Sequence, residues 1–136
     1  MSQRKKNVLL SLAALGFGCL LYVVFRPHTY IGVAFGRWGW VNTIRQICSV
    51  YASDLCKFYL PDFLWALSLG SGLIAVHDAG KKGVVTGAAT AFGCGVVWEF
   101  MQYLKVIDGT ADIHDVIMYV LASVLCIIIN LKEKRK

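Results

Sequence analysis

NVLLSLAALGFGCLLYVVF, residues 7–25, runs for nineteen positions without a charge, between Arg4, Lys5 and Lys6 on one side and Arg26 on the other. A helix of about 20 mostly apolar residues crosses the hydrocarbon core of a bilayer. Backbone polar groups in lipid must be bonded within the chain, so an isolated apolar run of this length is a helix. The basic residues before it resemble the start of a signal peptide. The apolar run is too long for a signal's hydrophobic region, however, and no A-x-A cleavage site follows, so a retained span is expected.

Three further runs have the same character. Residues 61–76 form a short second span that opens on Pro61 and Asp62, which suit the first turn of a helix: Pro lacks only an N–H that would be unpaired there, and a carboxylate complements the dipole. Residues 83–104 form a third, rich in Gly, Ala and Thr in its first half, a composition that allows close helix approach. Residues 113–131 form a fourth, set off by Gly109 and Thr110. The expected fold class is therefore an all-α integral membrane protein with four transmembrane helices in a single membrane domain over residues 1–136.

Composition supports this. The 136 residues are 57% apolar and 16% charged, against about 25% charged in soluble domains. The net charge of +6 is concentrated in the two tails and one short turn, with no basic stripe interleaved with aromatics, so nucleic acid is not expected as a partner. Basic residues favour the cytoplasmic side of a membrane. With both termini inside, nine of the fourteen Lys and Arg fall inside (Arg4, Lys5, Lys6, Lys81, Lys82, Lys132, Lys134, Arg135 and Lys136) and five outside (Arg26, Arg37, Arg45, Lys57 and Lys105). Of the acids, only Asp78 and Glu133 fall inside. The expected orientation is thus N-in/C-in.

Between the first two spans, Trp40, Ile44, Ile47, Tyr51, Leu55 and Phe58 recur at steps of three and four, opposite Asn42, Arg45, Gln46, Ser49, Ser53, Asp54 and Lys57. That periodicity predicts an amphipathic helix over residues 38–58, lying at the outer interface with Trp38 and Trp40 or packed over the mouth of the bundle. Among the five cysteines, Cys19, Cys94 and Cys126 lie in apolar runs and read as small hydrophobes. Cys48 and Cys56 share the outer segment. A disulfide between them is conceivable there, although if that segment is one helix they stand about 12 Å apart, beyond disulfide reach. No CxxC pair, GxSxG, HExxH or P-loop is present, and neither a metal nor a cofactor is expected.

The polar residues that demand an explanation are Glu99 and Gln102, three apart on one face in the last turns of the third span. A carboxylate is costly inside a membrane and unfavourable near a helix C-terminus. Two local rules broken at one residue mark either a functional position or one rescued by a partner. Arg26, His28 and Arg37 are the candidate partners. Asp112 and Asp115 are well placed to cap the fourth span and occupy its first turn. The short turn would also bring them back beside Glu99 and Gln102. The candidate ligand-binding residues are then Glu99, Gln102, Asp112, Asp115 and Asp62, supported by Arg26, His28, Arg37, Tyr103 and His114. A bundle this small has no room for a wide pore, so such a pocket should open outward.

Glu99 and Gln102 at the end of one span, a short turn, and Asp115 opening the next resemble the VanZ-like family of small bacterial membrane proteins, over residues from about 60 to 130. The chain departs from that pattern: Ile107, Asp108, Gly109 and Thr110 stand where an Arg is usual, and Tyr119 stands where an Asn often follows the Asp. The resemblance implies a divergent branch, the bacterial cytoplasmic membrane and an envelope-related role. Three functions compete. One is an outward-facing acidic pocket binding an envelope lipid, a glycan precursor or an amphiphilic antibiotic. Another is a small proton- or cation-coupled transporter, against which stand the lack of an inverted repeat and the nearly charge-free inner halves of the spans, unless a homo-oligomer supplies a path. The third is a membrane enzyme acting on a lipid head group, which lacks a nucleophile–base pair and is the least favoured. A purely structural subunit, its acids serving only as caps, is a fourth possibility. The partners expected are the lipid bilayer, a lipid or amphiphile ligand and, as an option, a second copy of the chain.

Overall fold

The computed structural model describes residues 2–77 and 80–132. Asp78, Glu133, Lys134, Arg135 and Lys136, which entered the charge reading above, lie outside the described residues. Every regular element among those described is a helix: α1 (Gln3–Phe25), α2 (Tyr30–Gly36), α3 (Gly39–Tyr51), a single π turn (Leu55–Tyr59) continuing into α4 (Leu60–His77), α5 (Lys81–Tyr103) and α6 (Ile113–Lys132). Four stretches are long and apolar enough to cross a membrane: Gln3–Phe25, Leu55–His77, Lys81–Tyr103 and Ile113–Leu131.

Two boundaries differ from the sequence expectation. The helix expected over 38–58 is divided. α3 ends at Tyr51, Ala52 is extended, and the Ser53 carbonyl accepts from the N–H groups of Cys56 and Lys57 to start the next helix. Leu55 and Phe58 therefore belong to the second span, which begins six residues before Pro61. Periodicity could not reveal the break, because both pieces are helical and no Gly or Pro marks it. The π turn has a physical reason in Pro61. Proline's ring presses on the carbonyl four residues earlier and its nitrogen donates nothing. A locally wider turn, in which the Leu60 N–H reaches back to the Leu55 carbonyl, relieves that conflict without ending the helix.

α2 was not anticipated. It begins where the Thr29 side chain accepts from the Gly32 N–H and donates to the Arg26 carbonyl. A side chain at Gly32 would collide with the backbone of Arg26 and Pro27, so glycine is what lets α2 fold back on the end of α1. Arg45 of α3 then ties three elements: its Nε donates to the Val23 carbonyl at 2.8 Å, one terminal nitrogen to the Gly32 carbonyl at 2.6 Å and the other to Asn42 Oδ1 at 3.1 Å.

α4 is the central helix. It packs against α1, α5 and α6, and α5 packs against α6. The buried side chains between them are mostly small, including Ala66, Ala88, Ala91 and Ala122 around Ile74, Val84 and Tyr119, which lets the backbones approach closely. Hydroxyl and thiol groups tie the faces together: Ser11 and Ser68 exchange bonds between α1 and α4, Ser123 donates to the Ala88 carbonyl, and Cys126 donates to the Leu67 carbonyl. At the start of α1 and the end of α6, Gln3 and Asn7 both donate to Asn130 Oδ1, at 2.8 and 2.7 Å, while Asn130 Nδ2 donates to the Cys126 carbonyl. All five cysteines are free.

Candidate functional site

The end of α1, the start of α4, the end of α5 and the start of α6 meet at one end of the bundle. Glu99 is buried there, 6% exposed. One carboxylate oxygen accepts from the Asp112 backbone N–H at 3.0 Å and the other from the Tyr119 hydroxyl at 3.1 Å. No bond from Arg26, His28 or Arg37 reaches it among the described residues, which corrects the expectation that an arginine or histidine would be its partner. Two local features make this arrangement possible. Tyr119 stands one turn beyond Asp115 on α6. Its ring lies against Gly95, one turn before Glu99, where any Cβ would overlap the ring. The unfavourable field at the end of α5 is offset because Asp112 presents the amino end of α6 to the same carboxylate.

Gln102 does not join Glu99 in a pocket. With its amide oriented to satisfy both neighbours, its oxygen accepts from Trp98 Nε1 at 3.1 Å and its nitrogen donates to the Thr110 carbonyl at 3.3 Å. It also packs on Gly109, whose φ of 134° is open only to glycine without strain. Glu99 and Gln102, three apart, thus clasp two points of the α5–α6 turn. Asp112 caps α6: its carboxylate accepts from the His114 N–H at 2.9 Å and meets His114 Nδ1 at 2.7 Å. The bond from the His114 backbone, followed by that from its ring, holds the Asp112 carboxyl below the usual carboxylate range. His114 is exposed and packs on the Tyr59 ring, 5.3 Å between centroids. Glu99, Tyr103 and Asp112 do line one shallow cleft of about 270 Å³ between α5 and α6. Both Glu99 oxygens and the Asp112 oxygen that meets His114 are already engaged, so that cleft offers a ligand little polar chemistry.

Asp62 and Asp115 are different. They come from the first turns of α4 and α6 and are partly buried. Each is close enough to the other, to Glu99 and to Arg26 to interact electrostatically. Neither has an ion-pair partner within 4.0 Å or a hydrogen-bonded side-chain partner among the described residues. Arg26, at the end of α1, stacks over the Tyr22 ring at 5.8 Å, and its Nε is buried with no acceptor. Asp62 and Asp115, from two helices, therefore share one guanidinium. His28 and Arg37 stand apart, lining an open hollow on α2 with Tyr30, Val33 and Ala34.

No group of three His, Cys, Asp or Glu side chains among the described residues is close enough to hold a metal ion. Sequence reasoning missed Tyr119, Gly95, Tyr22 and Arg45. The first two carried a faint signal, since Tyr119 follows Asp115 by one helical turn and Gly95 precedes Glu99 by one. No family model matches the chain, and no curated protein or solved structure is similar to it.

Proposed function

We propose that this chain is a multi-pass protein of the bacterial cytoplasmic membrane that binds the polar head of an envelope amphiphile, whether a lipid, a lipid-linked glycan precursor or an amphiphilic antibiotic. In this reading both termini are cytoplasmic, following the bias of basic residues. The end of the bundle that carries Arg26, Asp62, Glu99 and Asp115 then faces outward, with α2 and α3 lying at the outer interface, where Trp38, Trp40, Ile47 and Tyr51 are exposed. The VanZ-like resemblance, resting on Glu99, Gln102 and Asp115, belongs to the same proposal.

The observation that carries it is the incomplete pairing of Asp62, Asp115 and Arg26. Buried polar groups are ordinarily satisfied, and charge within a membrane span is costly unless it is paired or used. At this site the acids outnumber the cation, and no three of them among the described residues stand close enough together to hold a metal ion. A head group with several hydrogen-bond donors can satisfy that surplus of acceptors.

The test is native mass spectrometry of the protein released from mild detergent, as wild type and as Asp62→Asn with Asp115→Asn. These two residues are preferable to Glu99, whose loss would break the α5–α6 clasp and confuse binding with folding. A defined amphiphile that stays on the wild type and leaves the double variant supports the proposal. Identical adducts on both proteins, or none on either, would overturn it.

A further inference from the structure

Resting on that reading, we infer that the ligand is a single-chain or chain-extruded amphiphile with a primary ammonium head, its hydrocarbon lying in the groove between α1, α2 and α4. The groove has a volume of about 330 Å³ and is almost entirely apolar, with Ala14, Gly18 and Cys19 on α1, Ile31 on α2 and Pro61 and Trp65 on α4 among its lining. Ala14 and Gly18 are buried, whereas Leu15, Cys19, Ile31 and Trp65 are exposed. The groove is therefore deep because α1 presents small residues there, and it is open sideways to the hydrocarbon of the bilayer.

Its occupant is identified by what stands at its end. From Ala14 to Tyr22 the groove follows α1 for about 12 Å. Tyr22 lines it and carries Arg26 over its ring. The Tyr22 hydroxyl lies within electrostatic reach of Asp62, Arg26 and Asp115. Pro61 lines the same end, and Asp62 is the next residue. A chain seated in the groove thus delivers its head group to Asp62 and Asp115, which have no side-chain partner of their own. An ammonium with three N–H donors complements two carboxylates. A quaternary head has no donor to offer them, and an anionic head would be repelled. The apolar length supplies affinity in proportion to the area it buries, and the acids select the head.

The experiment uses the full chain in phosphatidylcholine nanodiscs with dodecylamine, dodecyltrimethylammonium and dodecanol as probes. Wild type is compared with Cys19→Trp, which fills the groove from its open side, with Asp62→Asn, and with Leu12→Trp as a lipid-facing control elsewhere on α1. The expected result is binding of dodecylamine about tenfold tighter than of dodecanol. Asp62→Asn should erase that preference while dodecanol still binds, Cys19→Trp should abolish binding of both, and Leu12→Trp should change nothing. If Cys19→Trp binds like wild type while Asp62→Asn loses dodecylamine, the groove assignment is wrong and the head-group site stands. If Asp62→Asn keeps the full preference while Cys19→Trp abolishes binding, the head-group reading fails and the groove is a general alkyl site. Equal binding of all three probes by every variant overturns both. Leu15→Trp, at a second exposed groove position, replaces Cys19→Trp if that variant does not elute as a folded species.

Discussion

The two ends of the helix bundle hold their polar side chains in different ways. Where α1 begins and α6 ends, Gln3, Asn7 and Asn130 form a neutral amide cluster in which Asn130 accepts two bonds and donates one to the Cys126 carbonyl. Where α1 ends and α6 begins, charged groups dominate. Glu99 is fully engaged, but Asp62, Asp115 and Arg26 are near one another without closing a pair. A neutral amide cluster bonded between helices in a membrane protein fixes helix register. A charged cluster that leaves groups unpaired is costly unless something else completes it. The contrast separates the polar residues that hold the fold from those with capacity to bind.

The strongest way to break this comparison is at Glu99. Glu99→Leu removes the acceptor of two donors, the Asp112 N–H and the Tyr119 hydroxyl, and should cost about 2–5 kcal/mol, seen as lost thermal stability in detergent. Adding Tyr119→Phe should recover part of that loss, because one orphaned donor disappears. A loss no larger than that from disrupting the amide cluster would mean that the two ends do not differ. Gly95→Ala comes next, at about 1–3 kcal/mol, since its Cβ must displace the Tyr119 ring. Its effect should shrink in a Glu99→Leu background, a coupling that a double-mutant cycle measures directly. At the other end, Asn130→Leu also removes the acceptor of two donors, but these are neutral amide bonds averaging about 0.6 kcal/mol each in membranes, so it should cost about 1–3 kcal/mol, and it should leave amphiphile binding unchanged.

The smallest effect sharpens the comparison within the charged end. The Asp112 cap is accessible to solvent, and its carboxyl is held below the usual range by the His114 backbone and ring. Its stabilising contribution is therefore complete above about pH 4 and is lost as pH falls through the lower folded value. Asp112→Asn, which keeps the cap without the charge, should flatten the acid limb of the stability profile measured by thermal unfolding. An unchanged acid limb would show that Asp112 contributes to neither end's balance.

Much of the fold was legible because a bilayer imposes a simple rule. Residues 7–25 and 113–131 could be read from apolar length alone, and α1 and the fourth span match those readings to within a few residues. The second span was less legible: Leu55–Tyr59 looked like part of an interfacial helix because helical periodicity runs through the break at Ala52 and Ser53. At the candidate site, the cost of Glu99 singled it out correctly as a residue needing a partner, but its partner was unreadable. Tyr119 entered the sequence reading only as the residue standing where an Asn often follows the Asp, and only the close approach of its ring to Gly95 brings its hydroxyl to Glu99. Gln102 was read as a neighbour of Glu99 on one face, yet it reaches Trp98 and Thr110 instead.

The sequence by itself determined that this protein has four apolar helices, where three of them begin and end to within a few residues, and that an acid sits near the end of one. Those features follow from local physics: the length needed to cross hydrocarbon, the need to bond the backbone internally, and the preference of carboxylates for helix starts. Only the tertiary structure decided that Asp62, Asp115 and Arg26 gather from three helices, that Glu99 is closed off by Tyr119 and Asp112, and that small residues on α1 leave a groove leading to the unpaired acids. Those features depend on how each helix is rotated about its own axis when it packs, and in a chain apolar on nearly every face no local pattern fixes that rotation.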